Sequence, residues 1–216
     1  MAQQRQLVLA LVLAGAGLAG GLLAHRFSTT PTHSWSTANG NDARALTAAT
    51  LLPDPRDLPE FSLTEGSSGA FTRASLRGQW TLMFFGFANC PDVCPTTMAL
   101  LASVVDKLRK ADVEPPDVVF ISVDPERDSP ADAARYAAYF DPSFRAASGD
   151  QDSLRELTRP LGIMHMRVST GADTYSVDHS AAILLINPSV QLRALFSAPH
   201  DADTIVADLH RIIERH

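Results

Sequence analysis

Cysteine is scarce in this sequence, since its 216 residues include two, Cys90 and Cys94. Two cysteines exclude a disulfide-dense scaffold and a four-cysteine zinc site. Basic charge is also scarce, because 18 Lys and Arg residues face 24 Asp and Glu residues and leave a net charge of -6. A nucleic-acid-binding domain normally needs a basic patch, so nucleic acid is not an expected partner. The 45% of apolar residues is enough for a globular core.

One long apolar run lies near the N-terminus, from Leu7 to Ala24, and it contains no charged or polar side chain. A helix of that length nearly covers a hydrocarbon core of roughly 30 Å. The run is longer than the apolar core of about 7–15 residues in a signal peptide. Residues 1–26 are therefore predicted to form an uncleaved N-terminal transmembrane helix that anchors the protein. A cleaved signal peptide is the alternative, because the small residues at 14–16 and 19–21 resemble cleavage sites.

Either alternative predicts that the rest of the chain lies outside the cytoplasm. Residues 27–57 are rich in Ser, Thr, Ala, Asn and Pro and poor in large apolar side chains. This composition predicts a flexible linker. Residues 58–216 have the length of one folded domain, which the linker would hold away from the membrane.

Strand and helix patterns alternate through residues 58–216. Two apolar runs are typical of strands buried on both faces of a sheet: Thr81–Phe87 and Val118–Val123. Further elements are predicted as follows: a helix through 98–108, helices at 130–140, 151–161 and 204–213, a strand pair at 164–168 and 174–177, and a hairpin of 182–186 with 192–196. This order predicts an α/β sandwich with a mixed central sheet flanked by helices.

The residues with the most distinctive chemistry follow the first apolar run, where Cys90 and Cys94 are separated by three residues. Open α/β sheets place their sites at such a carboxyl edge. If Pro91 opens a helix, the two cysteines face one side with Cβ atoms about 5–6 Å apart. That separation suits two thiolates on one metal ion better than a disulfide, which needs about 3.8 Å. A helix N-terminus also favours the thiolate. A stabilising disulfide is the alternative.

Two thiolates leave a metal site incomplete, and the chain has seven histidines that could supply a third ligand. His179 stands out because the segment Asp178-His179-Ser180 directly precedes the apolar run at 181–186. The loop that carries it could lie beside the cysteine turn.

Three separated segments together resemble the SCO/SenC family: 85–95, with Phe85-Gly86-Phe87 and Cys90-Pro-Asp-Val-Cys94-Pro, then Val123–Asp128, then Asp178–Ser180. The resemblance extends over residues 58–216. It implies a thioredoxin-like fold on a membrane tether, copper binding, and a role in assembling the binuclear copper centre of cytochrome c oxidase subunit II. It also implies that Cys90 and Cys94 are thiolate ligands and that His179 is the imidazole ligand.

The residue types agree with copper, since soft thiolates select Cu(I) and imidazole also suits copper. Zinc accepts the same donors, so the choice of copper rests on the resemblance. The expected ion is Cu(I), with Cu(II) as a second oxidation state. Asp178 is a candidate for orienting His179 or for offering an oxygen to Cu(II). A carboxylate that caps the turn is the alternative interpretation of Asp178.

These observations predict a copper metallochaperone that takes copper from a donor protein and passes it to subunit II without catalysing a reaction. Its domain would face the periplasm of a bacterial cell or the equivalent intermembrane space. A thiol–disulfide oxidoreductase is the alternative, reducing the cysteines of the oxidase copper site or of another exported protein. Cys-x-x-x-Cys spacing, which differs from the Cys-x-x-Cys of thioredoxins, favours metal binding.

Three other features suggest no chemistry of their own. Residues 124–128 are expected to form a solvated loop beside the site. Met164 and Met166 are predicted to share a core face of a strand, with His165 exposed on the other face. His200 follows the final hairpin and could approach the site, but no motif supports it.

Overall fold

The computed structural model describes residues 46–67, 69–171 and 174–214. The strands of this part are β1 Ala49–Asp57, β2 Ser62–Glu65, β3 Gly69–Thr72, β4 Thr81–Gly86, β5 Asp117–Ser122, β6 Arg145–Ser148, β7 His165–Ser169, β8 Tyr175–His179, β9 Ile183–Ile186 and β10 Gln191–Phe196. The helices are α1 Val93–Lys110, α2 Pro130–Phe140, α3 Gln151–Thr158 and α4 Ala202–Ile213, with a 3-10 turn at Arg73–Leu76.

Eight strands form one mixed sheet in the order β1-β10-β9-β4-β5-β6-β2-β3. Strands β4, β5 and β6 are parallel, whereas β9, β10 and β1 continue the sheet antiparallel from β4. Every residue of β4 is buried, as the apolar run predicts for a strand covered on both faces. The predicted α/β architecture with a mixed central sheet and flanking helices is therefore confirmed.

Helix α2 begins at the residue that the local sequence predicts. Ser129 caps α2, because its hydroxyl accepts from the Asp132 N–H at 3.1 Å while the Asp132 carboxylate accepts from the Ser129 N–H. Pro130 occupies the first helical position, where a missing N–H costs nothing. Helix α1 buries its predicted apolar face and also contacts α4. The helices predicted through 98–108 and at 130–140 are both confirmed.

Strand β1 corrects the predicted linker of residues 27–57. Residues 49–57 pair with β10 at the edge of the sheet, so this part of the linker prediction is wrong. Pro53 and Pro55 give the segment the composition of a linker, but the register shifts between Leu51 and Arg56, which places both prolines in an irregularity of the edge strand. Edge strands and bulges are the places in a sheet that tolerate proline.

The predicted N-terminal transmembrane helix, residues 1–26, lies outside the described residues. Among the residues that the structure does describe, none of the helices has the length and apolar character needed to span a bilayer.

The start of β1 is held by a buried carboxylate of α4. Asp208 is fully buried, and it accepts hydrogen bonds of 2.7–3.1 Å from the backbone N–H groups of Thr47, Ala48 and Ala49. Arg211 also donates to this carboxylate at 3.0 Å. Residues ahead of the predicted domain boundary are thus tied to its last helix.

Asp208→Ala is expected to lower the free energy of unfolding by about 1–3 kcal/mol, because it leaves several backbone donors without an acceptor. Denaturant unfolding followed by circular dichroism measures the change. Asp203→Ala on the same helix is the matched control, since Asp203 forms an exposed ion pair with Lys107 and its loss should change little. Equal stability of the two variants would contradict the assigned role of Asp208.

Strands β7 and β8 form a separate two-stranded sheet, as the sequence predicts. The faces are the reverse of the prediction, because Met164 is 81% exposed and Met166 is 65% exposed, whereas His165 is partly buried. His165 pairs with His179, and these two residues share the face of the hairpin that carries buried Val177. The hairpin is a separate sheet, and the side of β7 that carries Met166 and Val168 faces solvent and does not pack on the core.

Candidate metal centre

The cysteine segment joins β4 to α1 at the carboxyl edge of the sheet. A backbone hydrogen bond of 3.2 Å from the Cys90 N–H to the Phe87 carbonyl closes the turn after the strand. Helix α1 begins at Val93, with Asp92 as its N-cap. Pro91 therefore precedes the helix and does not open it, so Cys90 lies in the loop and Cys94 in the first helical turn. Both thiols are free.

His179 ends β8 and points its ring at the cysteines. The Nε2 atom lies 3.2 Å from the Cys94 sulfur. The ligand atoms of Cys90, Cys94 and His179 all lie within 4.8 Å of one another. The structure thus brings together the three residues that the sequence singled out, from a loop, a helix and a separate hairpin.

A backbone hydrogen bond determines which ring nitrogen of His179 carries the proton. The Nδ1 atom lies 3.1 Å from the Ser180 carbonyl oxygen, which only accepts hydrogen bonds. Nδ1 must therefore carry the proton in this contact, which leaves the Nε2 lone pair directed at Cys94. Burial lowers the pKa of His179, although the Ser180 contact and the charge of Asp178 oppose this shift. A neutral imidazole is the form that binds a metal.

Two phenylalanines hold the imidazole ring from its sides. The Phe84 ring centroid is 6.0 Å from that of His179, and the Phe87 centroid is 5.8 Å away, both in edge-to-face geometry. Both phenylalanines are buried in the core. Aromatic pairs prefer this geometry, so the packing fixes the ring orientation before any ion binds.

Cys94 is fully buried, and it packs directly on Gly86 at the end of β4. Burial raises the pKa of the Cys94 thiol well above its ordinary value, despite a hydrogen bond with the Phe87 backbone. The helix N-terminus therefore does not give the free thiolate that the sequence suggested. Because a metal binds the thiolate, metal binding has to displace a proton from this sulfur.

Cys90 is the accessible member of the pair. It is partly exposed, and it borders an open cavity of about 260 Å³. The cavity is also lined by Phe87, Pro91, Asp92, Val93 and residues 176–179. An incoming ligand can thus approach the cluster from the side of Cys90, while Cys94 is closed off.

The three donors fit one ion. Donors about 2.0–2.3 Å from a common metal lie at most about 4.6 Å apart. The donor atoms here, within 4.8 Å of one another, need only a slight contraction to share an ion. Two sulfurs and one imidazole nitrogen are the donors that soft Cu(I) accepts, and zinc also accepts them.

The Asp124–Asp128 segment, expected to be a solvated loop, is packed against the site. Asp128 is buried, and its Oδ2 accepts from the Ala88 N–H and from the Ser122 hydroxyl, each at 2.7 Å. Burial raises the pKa of this carboxyl group. Asp128 thus holds the loop that carries Cys90.

Arg127 and Asp124 hold the other half of the site, the hairpin with His179. The Arg127 guanidinium donates to the Tyr175 carbonyl at 3.0 Å and lies 3.8 Å from the centroid of the Tyr175 ring. It also forms an ion pair with buried Asp124, which accepts from the Tyr175 hydroxyl at 2.8 Å. The same guanidinium lies 5.4 Å from the Phe87 centroid. The segment therefore clamps the hairpin against the cysteine loop.

The clamp is not among the features predicted from the sequence, although one signal pointed to it. Residues 124–128 follow β5, the parallel neighbour of β4, and parallel neighbours end at the same edge of a sheet. Paired Asp and Arg at that edge indicate buried ion pairs as readily as a solvated loop.

The other two candidates lie beside the cluster. Asp178, a candidate for orienting His179, is exposed and borders the cavity at Cys90, and the Nδ1 atom of His179 contacts the Ser180 carbonyl. The Nε2 atom of His200 lies 2.8 Å from the Ala181 carbonyl oxygen. His200 thus contacts the segment after His179 and is not among the three clustered donors.

The chain matches a known protein family over most of the described residues. A model of the SCO1/SenC family matches residues 52–214. The chain belongs to the SCO1/SenC family. The matched range begins within β1, in agreement with the correction to the predicted linker.

Curated SCO1/SenC relatives include two mitochondrial proteins. The bovine SCO2 homolog is 34% identical over 209 residues, which are 96% of this chain and 74% of that protein. The Arabidopsis thaliana SCO1 homolog 1 is 33% identical over 148 residues, which are 67% of this chain and 43% of that protein. The chain therefore spans less than half the length of the Arabidopsis protein.

Solved SCO1/SenC structures share the fold. The copper-bound structure of Arabidopsis thaliana ScoI is similar at 30% identity with a TM-score of 0.70, covering 74% of this chain and 99% of that one. Copper-bound yeast Sco1 is similar at 28% identity with a TM-score of 0.68, covering 75% of this chain and 91% of that one. The predicted family, with its thioredoxin-like α/β fold, is confirmed.

Proposed function

We propose that this protein is a copper metallochaperone that binds one copper ion between Cys90, Cys94 and His179 and delivers it to the binuclear copper centre of cytochrome c oxidase subunit II. The observation that carries the proposal is the convergence of these three donor atoms within 4.8 Å. The ion is the cargo of the protein, and residues of this chain bind it, fix its position and control access to it.

Donor chemistry and relatives support copper over zinc. Two thiolates and one imidazole form a soft donor set, which favours Cu(I) over the other metal ions that compete for the site. Zinc fits the geometry too, but the similar ScoI and Sco1 structures are of copper-bound proteins. Copper is therefore the cargo, with Cu(I) as the state that the two sulfurs favour.

The accessibility of the cluster supports delivery. Three protein ligands leave room for an incoming thiol to join the coordination shell of Cu(I). Because Cys90 borders the open cavity, an acceptor cysteine can approach it while Cys94 and His179 still hold the ion. Transfer then proceeds by ligand exchange, without any change in the oxidation state of copper.

The apolar run of residues 7–24 supports a membrane anchor in the same account. Residues 1–26 would hold the domain on the outer face of a bacterial inner membrane or in the intermembrane space, where subunit II and a copper donor protein are accessible. The bovine and Arabidopsis relatives are named as mitochondrial proteins.

An anaerobic Cu(I) competition titration of the full reduced chain tests copper binding. We expect one tightly bound Cu(I) per chain, and a large loss of affinity in Cys90→Ser because serine offers no soft thiolate. Ser176→Ala, in the same cavity, is the matched control and should bind as the native chain does. Tight binding that survives Cys90→Ser would refute the ligand set.

A transfer assay tests the second half of the proposal. The copper-loaded chain is mixed with the reduced apo copper domain of subunit II, and copper on the acceptor is followed by optical spectroscopy after separation. We expect copper on the acceptor. The alternative function is a thiol–disulfide oxidoreductase, which the proximity of the two free thiols also allows. It would be supported if the metal-free chain reduces an oxidised acceptor and the copper-loaded chain transfers no copper.

The clamp formed by Arg127 gives a separate prediction. Arg127→Gln is expected to weaken Cu(I) binding by about 10–100-fold, the range for groups that orient a metal ligand. No donor atom is removed, but the hairpin loses the hydrogen bond from Arg127 to the Tyr175 carbonyl and the stacking of the guanidinium on the Tyr175 ring. Asp124 also loses its ion pair with Arg127. The competition titration measures the affinity, and ligand identity is followed by X-ray absorption.

The matched control is Arg135→Gln, which removes an exposed ion pair with Asp132 on α2. It should leave copper affinity unchanged. If both arginine variants bind copper as tightly as the native chain, the clamp does not position His179.

A further inference from the structure

Four methionines lie in the described part of the chain, and they divide sharply by exposure. Met83 and Met98 are fully buried in the core, whereas Met164 is 81% exposed and Met166 is 65% exposed. The two exposed residues lie in one short stretch, on the hairpin that carries His179. Their thioethers are therefore outside the core and accessible to a solute.

The two thioethers can reach one ion. Met164 and Met166 are two residues apart on β7 and its entry, so they share one face with Cβ atoms about 6–7 Å apart. A methionine side chain is unbranched and adaptable, and its sulfur can swing over most of that distance. Thioether sulfur is a soft ligand that selects Cu(I). The face thus offers two soft donors to that ion.

The methionines lie one strand away from the metal centre. Met166 pairs directly with Asp178, and the Met164 carbonyl accepts from the Ser180 N–H at 3.2 Å. His179 lies between these two cross-strand positions and points its ring to the other face of the hairpin. The exposed Asp178 carboxylate beside Met166 adds a negative charge that attracts a cation to this face.

We propose that Met164 and Met166 form a second, weaker Cu(I) site that captures the ion on the outer face of the hairpin and passes it to Cys90, Cys94 and His179. This inference rests on the proposed function. In the transfer, two copper–thioether bonds break as two copper–thiolate bonds and one copper–imidazole bond form. The thiols release their protons to solvent, and copper stays Cu(I) throughout.

The test is an anaerobic Cu(I) titration of the full chain against a weak competing chelator, with a Met164→Ile/Met166→Ile double variant. Isoleucine keeps the apolar surface and the strand propensity but removes the sulfurs. We expect the native chain to take up a second, weaker equivalent and the double variant to bind one tight equivalent alone. Loading of the tight site from a small-molecule Cu(I) complex should also slow several-fold in the double variant.

A Cys90→Ser/Cys94→Ser variant separates this proposal from the function on which it rests. It should lose the tight equivalent and retain the weak one, with the methyl signals of Met164 and Met166 shifting on Cu(I) addition while those of Met83 and Met98 stay in place. Val168→Ala, on the same exposed face, is the matched control and should retain both equivalents.

Distinct outcomes overturn each proposal. A weak equivalent that persists in the methionine variant, or a native chain that binds only one Cu(I), would refute the second site. Unchanged binding with slower delivery to subunit II only would assign the methionines to protein docking and also refute it. A tight equivalent that survives the double serine variant would refute the proposed function itself.

Discussion

Replacing His179 with alanine should weaken Cu(I) binding by more than about 100-fold, beyond the cost of losing a group that only orients a ligand. The imidazole supplies the third donor, with Nε2 3.2 Å from the Cys94 sulfur, and nothing else in the cluster replaces it. Competition titration under anaerobic conditions measures the affinity. The thiols of this variant should remain able to exchange with disulfides, since both sulfurs are retained.

His200→Ala is the matched control for this experiment. It removes a nearby histidine that contacts the Ala181 carbonyl and lies outside the donor set, so copper affinity should stay close to that of the native chain. A His179→Ala variant that binds copper as tightly as this control would remove imidazole from the ligand set.

Replacing Gly86 with alanine should disrupt the metal centre, because the added methyl group would clash with the Cys94 sulfur. A Cβ at this position would lie 2.6 Å from the Cys94 sulfur and 3.0 Å from a ring carbon of Phe120. Phe120 is packed in the core, so the sulfur and the first turn of α1 have to move. We expect Cu(I) affinity to fall at least tenfold, and stability to fall by about 1–3 kcal/mol, the usual cost of overpacking.

A double-mutant cycle distinguishes a clash with the sulfur from a general core defect. In a Cys94→Ala background the sulfur is absent, so Gly86→Ala should destabilise the fold less than it does in the native chain. Denaturant unfolding of the four proteins measures both steps of the cycle. Equal destabilisation in the two backgrounds would show that the added methyl group acts through Phe120 and not through Cys94.

The features that sequence predicted correctly are set by local chemistry. Strand β4 and helix α2 each depend on a few neighbouring residues, and the structure contains both. The three donor residues were found because they belong to motifs that lie far apart in the chain but resemble one family. Cys90 and Cys94 follow β4 at the carboxyl edge of the sheet, where open α/β folds place their sites, whereas His179 reaches them from a separate hairpin.

The features that sequence missed depend on tertiary contacts. Residues 49–57 resemble a linker because of their prolines, and only pairing with β10 makes them a strand. The alternation on β7 shows which residues share a face but not which face is buried, since that depends on how the hairpin packs against the rest of the domain. Arg127 and Asp128 look like ordinary surface charges until the cysteine loop and the hairpin close around them.

The central claim is that Cys90, Cys94 and His179 hold one copper ion together. X-ray absorption spectroscopy of the full chain loaded with one equivalent of Cu(I) tests it most directly, because it counts the atoms bound to the metal by element. We expect two sulfur ligands and one nitrogen ligand, with the nitrogen lost in His179→Ala and one sulfur lost in Cys90→Ser. Ligation by sulfur alone, or a coordination shell that neither substitution changes, would contradict the account.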